Sequence, residues 1–325
     1  MTSRMIGIEI GSHTLKMAVC SGGVVKKVAV SRLPEDLISQ GRVTSIPAFV
    51  DFLKLVMKNH GIRPGPCALV LPSSLVIANR VSMPVVSHSE VLLNLPFEFR
   101  DFVGKEAASY EFDYSVIGVK DNVMELYAAA VRKDVVEEYY AIFKKVGLRL
   151  KIATPAEMAW LNLVRQQPNL PRKLCIVDIG HSTTRVSIFT DGNFVMGKTI
   201  EKGGALIDEY IADTLQIDSH VARTQKEANM NKVQNEEFCQ DAYQNLTIEV
   251  MKTLNFYGYS EAAEDGQLEH LYYTGGSSQI DPLRNTLLKG TNLVQHHIHR
   301  MVNMGENENA LALFCALAAG AAMQQ

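Results

Sequence analysis

The chain has 325 residues, 47% of them hydrophobic and 21% charged, which fits a soluble globular protein with enough chain for two domains. Its formal net charge is −3, from 32 Lys+Arg against 35 Asp+Glu, and no basic block occurs, which argues against a nucleic-acid partner. No signal peptide is evident, and the most apolar stretch, residues 310–323, is too short and alanine-rich to cross a bilayer, which takes about 20 apolar residues.

Residues 5–32 alternate as strands, with Gly22-Gly23 as a hairpin turn between Met17–Cys20 and Val24–Val30. Apolar residues at helical spacing predict a helix over Ile46–His60, closed by Gly61. Cys67–Pro72 and Ile77–Met83 read as strands. Ser87 or Ser89 can cap a helix running to about Val103. Tyr114–Val119 and Met124–Val131 read as an antiparallel pair turned at Asp121-Asn122, followed by a helix over Lys133–Val146 and a strand over Leu148–Ala153. Pro155 opens another helix, on which Trp160 reads as a core residue. The stretch QQPNLPRK, residues 166–173, is the best linker. Beyond it come a strand over Val195–Ile200, a helix from Gly203-Gly204 to about Leu215, a long helix over Phe238–Ala262 and a strand over Leu271–Thr274. A helix from Pro282 to Leu288 and a last one over Asn309–Met323 complete the pattern.

The five cysteines, Cys20, Cys67, Cys175, Cys239 and Cys315, are far apart in sequence and read as buried, reduced thiols of a cytoplasmic protein. His296, His297 and His299 have metal-ligand chemistry, and strand alternation would put His297 and His299 on one face. No cysteine or acid lies within that segment, so an ordinary half-exposed strand is the better reading.

One pattern occurs twice. GIEIGSHTLKMAVC (Gly7–Cys20) and IVDIGHSTTRVSIF (Ile176–Phe189) align Glu9 with Asp178, Gly11 with Gly180, Thr14 with Thr183 and Lys16 with Arg185. One strand–glycine–hydroxyl–strand unit reads as a plain hairpin. Two copies in opposite halves suggest a duplicated β-rich half-domain whose turns face each other across a cleft. The glycine turns, Gly11-Ser12-His13-Thr14 and Gly180-His181-Ser182-Thr183, present backbone N–H groups and hydroxyls suited to phosphate oxygens, with Lys16 as counter-charge. An acid beside each turn makes sense if a divalent cation lies between, so Glu9 and Asp178 are candidates to hold Mg²⁺ through water. Tyr273-Thr274-Gly275-Gly276-Ser277-Ser278 is a strand-to-helix turn that can approach a base or ribose, and Gly203-Gly204 is a weaker site of the same kind.

Together these features resemble the actin/Hsp70/sugar-kinase ATPases: an α/β, actin-like ATPase fold of two duplicated RNase H-like lobes. Residues 86–152 sit where FtsA and the type IV pilus assembly protein PilM family carry an inserted subdomain. Resemblance to the PilM family runs over nearly the whole chain, through LVLPSSLVIANRVSMP (Leu69–Pro84), LPFEFRDFVGKEAASYEFDYSVIG (Leu95–Gly118), GGALIDEYIADTL, YYTGGSSQIDPL and ALAAGAAM, in the family's order. It implies a first lobe over 1–85 and 153–170, the insert over 86–152, and a second lobe over 171–325 with a smaller subdomain at about 200–265.

The resemblance further implies ATP and Mg²⁺ as ligands, nucleotide acting mainly as a conformational ligand, and hydrolysis slow or absent. Glu9 and Asp178 are the candidate catalytic residues. Glu9 stands where the family usually has aspartate, and His13 where a small residue is usual. The implied partner is the cytoplasmic tail of a PilN-like inner-membrane protein, which would hold the chain at the inner face of the cytoplasmic membrane without insertion; self-association stays open. The tail's groove is expected between the first lobe and the insert, within residues 70–152. There the helix bearing Leu92, Leu93, Leu95, Phe97, Phe99 and Phe102 has more large apolar residues than one narrow stripe needs. Two other classes stay open: an FtsA-like filament protein, which would be expected to end in an amphipathic helix not seen here, and a sugar-kinase-like phosphotransferase, which would show substrate-stimulated ATP turnover.

Overall fold

The computed structural model describes residues 4–259, 267–305, 311 and 314–323. In chain order come β1 (Met5–Ile10), β2 (Thr14–Ser21), β3 (Val24–Arg32), the short β4 (Ile38–Ser39) and β5 (Arg42–Val43), α1 (Ile46–Asn59), β6 (Pro66–Val70) and β7 (Val76–Pro84). Next are α2 (His88–Glu98), α3 (Arg100–Val103), β8 (Tyr110–Lys120), β9 (Val123–Arg132), α4 (Lys133–Lys145), β10 (Arg149–Thr154) and α5 (Ala156–Arg165). Then follow β11 (Lys173–Ile179), β12 (Thr184–Thr190), β13 (Asn193–Ile200), α6 (Gly204–Leu215), α7 (Ser219–Glu227) and α8 (Glu237–Gly258). The last elements are β14 (His270–Thr274), α9 (Asp281–Thr291), β15 (Val294–His297) and α10 (Ala316–Ala322). The chain divides into unit 1, Met1–Pro168 with Val302–Gln325, and unit 2, Asn169–Met301. The first crossing falls inside the Pro- and Gln-containing stretch expected to be a linker.

Each unit contains a five-stranded sheet of the same topology. In unit 1 the order is β10-β6-β1-β2-β3, with β1, β2 and β3 antiparallel and β6 and β10 parallel to β1. In unit 2 it is β13-β12-β11-β14-β15, again a three-stranded meander followed by two parallel strands. Strand β11 is buried along its whole length, as a central strand covered on both faces should be. The core of unit 1 joins Ile6, Ile8 and Leu15 to Phe49 and Leu53 of α1 and to Tyr139 and Phe143 of α4. That of unit 2 joins Val177, Ile179 and Val186 to Ile207, Tyr243 and Leu246. Trp160 is buried, and so are all five cysteines, whose burial pushes the Cys67 and Cys315 thiols up to about 12.

The insert is a three-stranded sheet, β7-β9-β8, inside unit 1. Its boundaries differ from the expected 86–152. The sheet begins earlier, at β7. Helix α4 belongs to the main core, because Val135, Tyr139, Ile142 and Phe143 form a continuous apolar face packed there. One face of the small sheet carries Met124, Leu126, Ala128 and Ala130, which α2 and α3 cover with Val91, Leu95, Phe99 and Val103. Ser87 starts α2 with a full capping box to Glu90.

The C-terminal helix is a second correction. Expected in the second lobe, α10 packs in unit 1 against β1, β2, β6 and α5. All seven of its residues are buried. The expected helix start at 309 and the expected helix end at 260–262 lie outside the described residues. Small side chains allow this packing. Gly320 sits against the backbone carbonyl of Ala159 with no room for a Cβ, and its own carbonyl accepts from Asn162 Nδ2 at 3.1 Å. Gly320→Val should therefore destabilise unit 1 by about 3 kcal/mol, the upper range for overpacking a filled core. Urea unfolding followed by Trp160 fluorescence would measure this.

Candidate functional site

Each copy of the repeated pattern builds the same local device. In unit 1, Gly11 N donates to Thr14 O at 3.0 Å, closing the turn between β1 and β2. In unit 2, Gly180 N donates to Thr183 O at 2.9 Å. The antiparallel register then sets Glu9 opposite Lys16 and Asp178 opposite Arg185. Lys16 Nζ lies 2.6 Å from Glu9 Oε1, both side chains about 10% exposed, and Arg185 Nη1 lies 3.5 Å from Asp178 Oδ2. The acid of each copy is thus balanced by a basic residue of its own hairpin. Ser12 and Ser182 are exposed at the turns, with His13, Thr14, His181 and Thr183 half-buried beside them.

Unit 2 gathers its remaining candidate residues around the second turn. Gly204 N donates to Gly180 O at 2.9 Å, Ala205 N to His181 O at 2.7 Å, and Ser277 Oγ to Gly180 O at 3.0 Å. A Cβ at Gly203 would lie 2.7 Å from the Gly180 and His181 oxygens, so glycine is what lets α6 start there. Gly275, with φ 91°, turns the chain against Ile179 and Asp178 in a conformation suited only to glycine. Gly276 is exposed, with nothing within 4 Å of a Cβ placed on it.

Three residues that sequence reasoning missed complete this cluster. Asp208 on α6 is 3% exposed, with Lys226 Nζ 2.6 Å from its Oδ1, Arg223 Nε 3.6 Å from its Oδ2 and His181 Nδ1 3.9 Å from the same oxygen. Lys226 Nζ also donates to Gly204 O at 2.7 Å. Burial pushes the Asp208 carboxyl up and the Lys226 ammonium down, while the attraction between them opposes both shifts. Glu227 also acts on both groups, so the cluster sets the Lys226 and Arg223 cations against the Asp208 and Glu227 carboxylates beside the glycine turn. A signal was present in the sequence: Asp208 falls in the buried stripe Gly204, Ile207, Ile211, and Lys226 falls four residues after buried Ala222.

The histidine segment is not a strand throughout. β15 stops at His297, and Ile298–Met301 forms a 3₁₀ turn. No group of three or more potential metal ligands occurs among the described residues.

Unit 1 also carries a groove of about 710 Å³. One wall is Glu111–Ser115 of β8, the edge strand of the small sheet, and the other is Met158, Asn162 and Arg165 on one face of α5. Tyr127, Ala129 and Val131 line it from the face of β9 that α2 and α3 do not cover. The surplus apolar residues of the α2 region divide: Leu95 and Phe99 are buried, while Leu93, Phe97 and Phe102 are 70%, 72% and 57% exposed, and none of these lines the groove.

This duplicated architecture is the actin-like ATPase fold. The structure is similar to the PilM-PilN type IV pilus biogenesis complex, with a TM-score of 0.85 and 18% identity over 99% of this chain and 98% of that one. It is also similar to the ethanolamine utilization protein EutJ from Carboxydothermus hydrogenoformans, at TM-score 0.62 and 12% identity over 99% and 89% of the chains. MreB5 of Spiroplasma citri bound to AMPPNP matches at TM-score 0.56 and 14% identity, covering 98% and 95%. No curated protein sequence matches. The family model for type IV pilus assembly protein PilM matches residues 7–324, and the chain belongs to that family. No helix among the described residues is long and apolar enough to cross a membrane.

The buried cluster yields a stability prediction. Lys226→Met leaves Asp208 buried without its nearest cation and should cost about 3–5 kcal/mol, the usual penalty for breaking a buried pair. Lys226→Met combined with Asp208→Asn should recover much of that loss. Guanidinium unfolding of the four proteins of this cycle checks both.

Proposed function

We propose that this chain is an actin-like, nucleotide-binding component of type IV pilus or related secretion assembly. It binds the cytoplasmic tail of a PilN-like inner-membrane protein and reaches the membrane's inner face through it. The groove beside β8 carries this reading. A free strand edge offers unpaired backbone groups, and an extended tail can add to it as a further strand, ordering as it binds. Leu71, Val76, Val131 and Met158 supply apolar pockets for alternate tail side chains.

ATP is the ligand proposed for the glycine turns. Gly11–Thr14 and Gly180–Thr183 would hold phosphates, helped by Lys16, and Gly203, Gly204, Gly275, Gly276 and Ser277 would shape the rest of the nucleotide site. The exposed hydroxyls of Ser12 and Ser182 and the open space at Gly276 support an anion at these turns. Glu9 and Asp178 would hold Mg²⁺ through water, and the ion would neutralise phosphate charge. Both carboxylates are already balanced by Lys16 and Arg185, which supports nucleotide as a conformational ligand with slow hydrolysis.

Two measurements test these halves separately. Calorimetry should detect ATP-Mg²⁺ binding by the wild type and none by Gly180→Val, whose side chain would crowd Thr183 O and the phosphate space. Undiminished binding by a folded variant would refute the turn assignment. Ala129→Trp fills the groove from β9 and should weaken a PilN-like tail peptide about tenfold or more, a loss of about 1.4 kcal/mol, with ATP binding unchanged. Fluorescence anisotropy of the labelled peptide reads this, and unchanged affinity would exclude the groove.

A further inference from the structure

Strand β15 and the 3₁₀ turn Ile298–Met301 are the last segment of unit 2 before the chain passes into unit 1 at Val302. β15 is short and, among the described residues, pairs along one side only, with β14, through four residue pairs from His270↔Val294 to Tyr273↔His297. Backbone pairing of that length is weak, so side chains decide how firmly the segment is held.

Those side chains are unusual. His296 stacks on His270 at 5.2 Å between ring centroids and on Tyr272 at 4.8 Å. Arg300 Nη1 lies 2.9 Å from His296 Nδ1, and His296 Nε2 lies 2.9 Å from His270 Nδ1. A guanidinium can only donate, so His296 Nδ1 must accept. The proton of a neutral His296 then sits on Nε2 and is donated to His270 Nδ1, which leaves the His270 proton on its own Nε2. One fixed donor therefore orders the whole chain of protons, and both rings must be neutral. A second proton on His296 would point at the Arg300 donor. A second proton on His270 would point at the His296 N–H.

We propose that His270, His296 and Arg300 form an acid-sensitive latch that holds β15 and the following turn onto β14. Among the described residues, the groups facing His296 are His270 and Tyr272 from β14 and Arg300 from the turn, none of them a carboxylate that could stabilise an imidazolium. Next to it, His297 meets Tyr273 of β14, Arg284 of α9 lies over that tyrosine ring, and His299 lies 5.0 Å away. Burial, with Arg300 and His270 adding, lowers the His296 value, and burial with His299 and Arg284 pushes His297 down to about 4. Groups with depressed values in the fold stabilise it above the ordinary histidine value of 6.5, and that contribution is lost as pH falls toward their folded values.

The test is pH-resolved hydrogen exchange on the full chain, corrected for intrinsic rates, read on the peptide covering residues 293–301. Between about pH 7.5 and 5, wild-type protection should fall about tenfold or more, because His297, with its value of about 4, and His296, with its lowered value, both resist protonation in the fold. The double variant His270→Gln/His296→Gln keeps hydrogen-bonding groups but carries no imidazole there, and its response should be smaller than the wild type's by the His296 share. The variant His297→Gln/His299→Gln should lose the His297 share and still respond to acid. Wild-type protection that does not respond to acid overturns the latch, as does a full response in the first variant or a complete loss of response in the second. Nitrogen NMR of the wild type gives an independent check that needs no variant. It should find His296 neutral with its proton on Nε2, and a proton on Nδ1 at neutral pH would refute the assignment.

Discussion

The carbonyl oxygen of Gly180 is where unit 2 is tied together. It accepts from Gly204 N at the start of α6 and from Ser277 Oγ after β14, while the neighbouring His181 carbonyl accepts from Ala205 N. A hairpin turn, a helix start and a strand-to-helix turn, widely separated in sequence, thus meet at two adjacent oxygens. Backbone groups can approach this closely only where no Cβ intervenes, which is why glycine stands at 203, 204 and 275. The same contacts use the first N–H groups of α6 for internal bonding.

Charge is handled alike in both units. A carboxylate next to a glycine turn would repel an anion, yet Glu9 and Asp178 each face a basic residue across their own hairpin. The antiparallel register makes the pairing automatic, because positions 9 and 16, like 178 and 185, are directly opposed. Unit 2 adds a deeper ion cluster at Asp208, where Lys226 also holds the Gly204 carbonyl and so joins α7 to the start of α6.

The insert shows how a small sheet can serve two surfaces. Period-two alternation along β9 sends Met124, Leu126, Ala128 and Ala130 toward α2 and α3, and Tyr127, Ala129 and Val131 toward the groove. The sheet needs the helices on one side to be stable. Its other side, through Tyr127, Ala129 and Val131, lines the groove beside β8.

The sequence by itself determined most of the elements and the duplication. Alternation marked the hairpins, helical spacing marked α1, Pro155 marked the start of α5, and the two aligned copies placed Glu9, Lys16, Asp178 and Arg185 at matching positions. These features depend on neighbours within a few residues, so local pattern records them. Only the tertiary structure decided that α10 packs in unit 1, that α4 joins the main core rather than the insert, and that Leu93 and Phe97 stay exposed while Leu95 and Phe99 are buried. It also brought Asp208, Arg223 and Lys226 together around His181. An amphipathic helix declares that it has an apolar face but not which surface will cover it. A buried lysine reads as an ordinary charge until its carboxylate, 18 residues earlier in the chain, folds to within 2.6 Å of it.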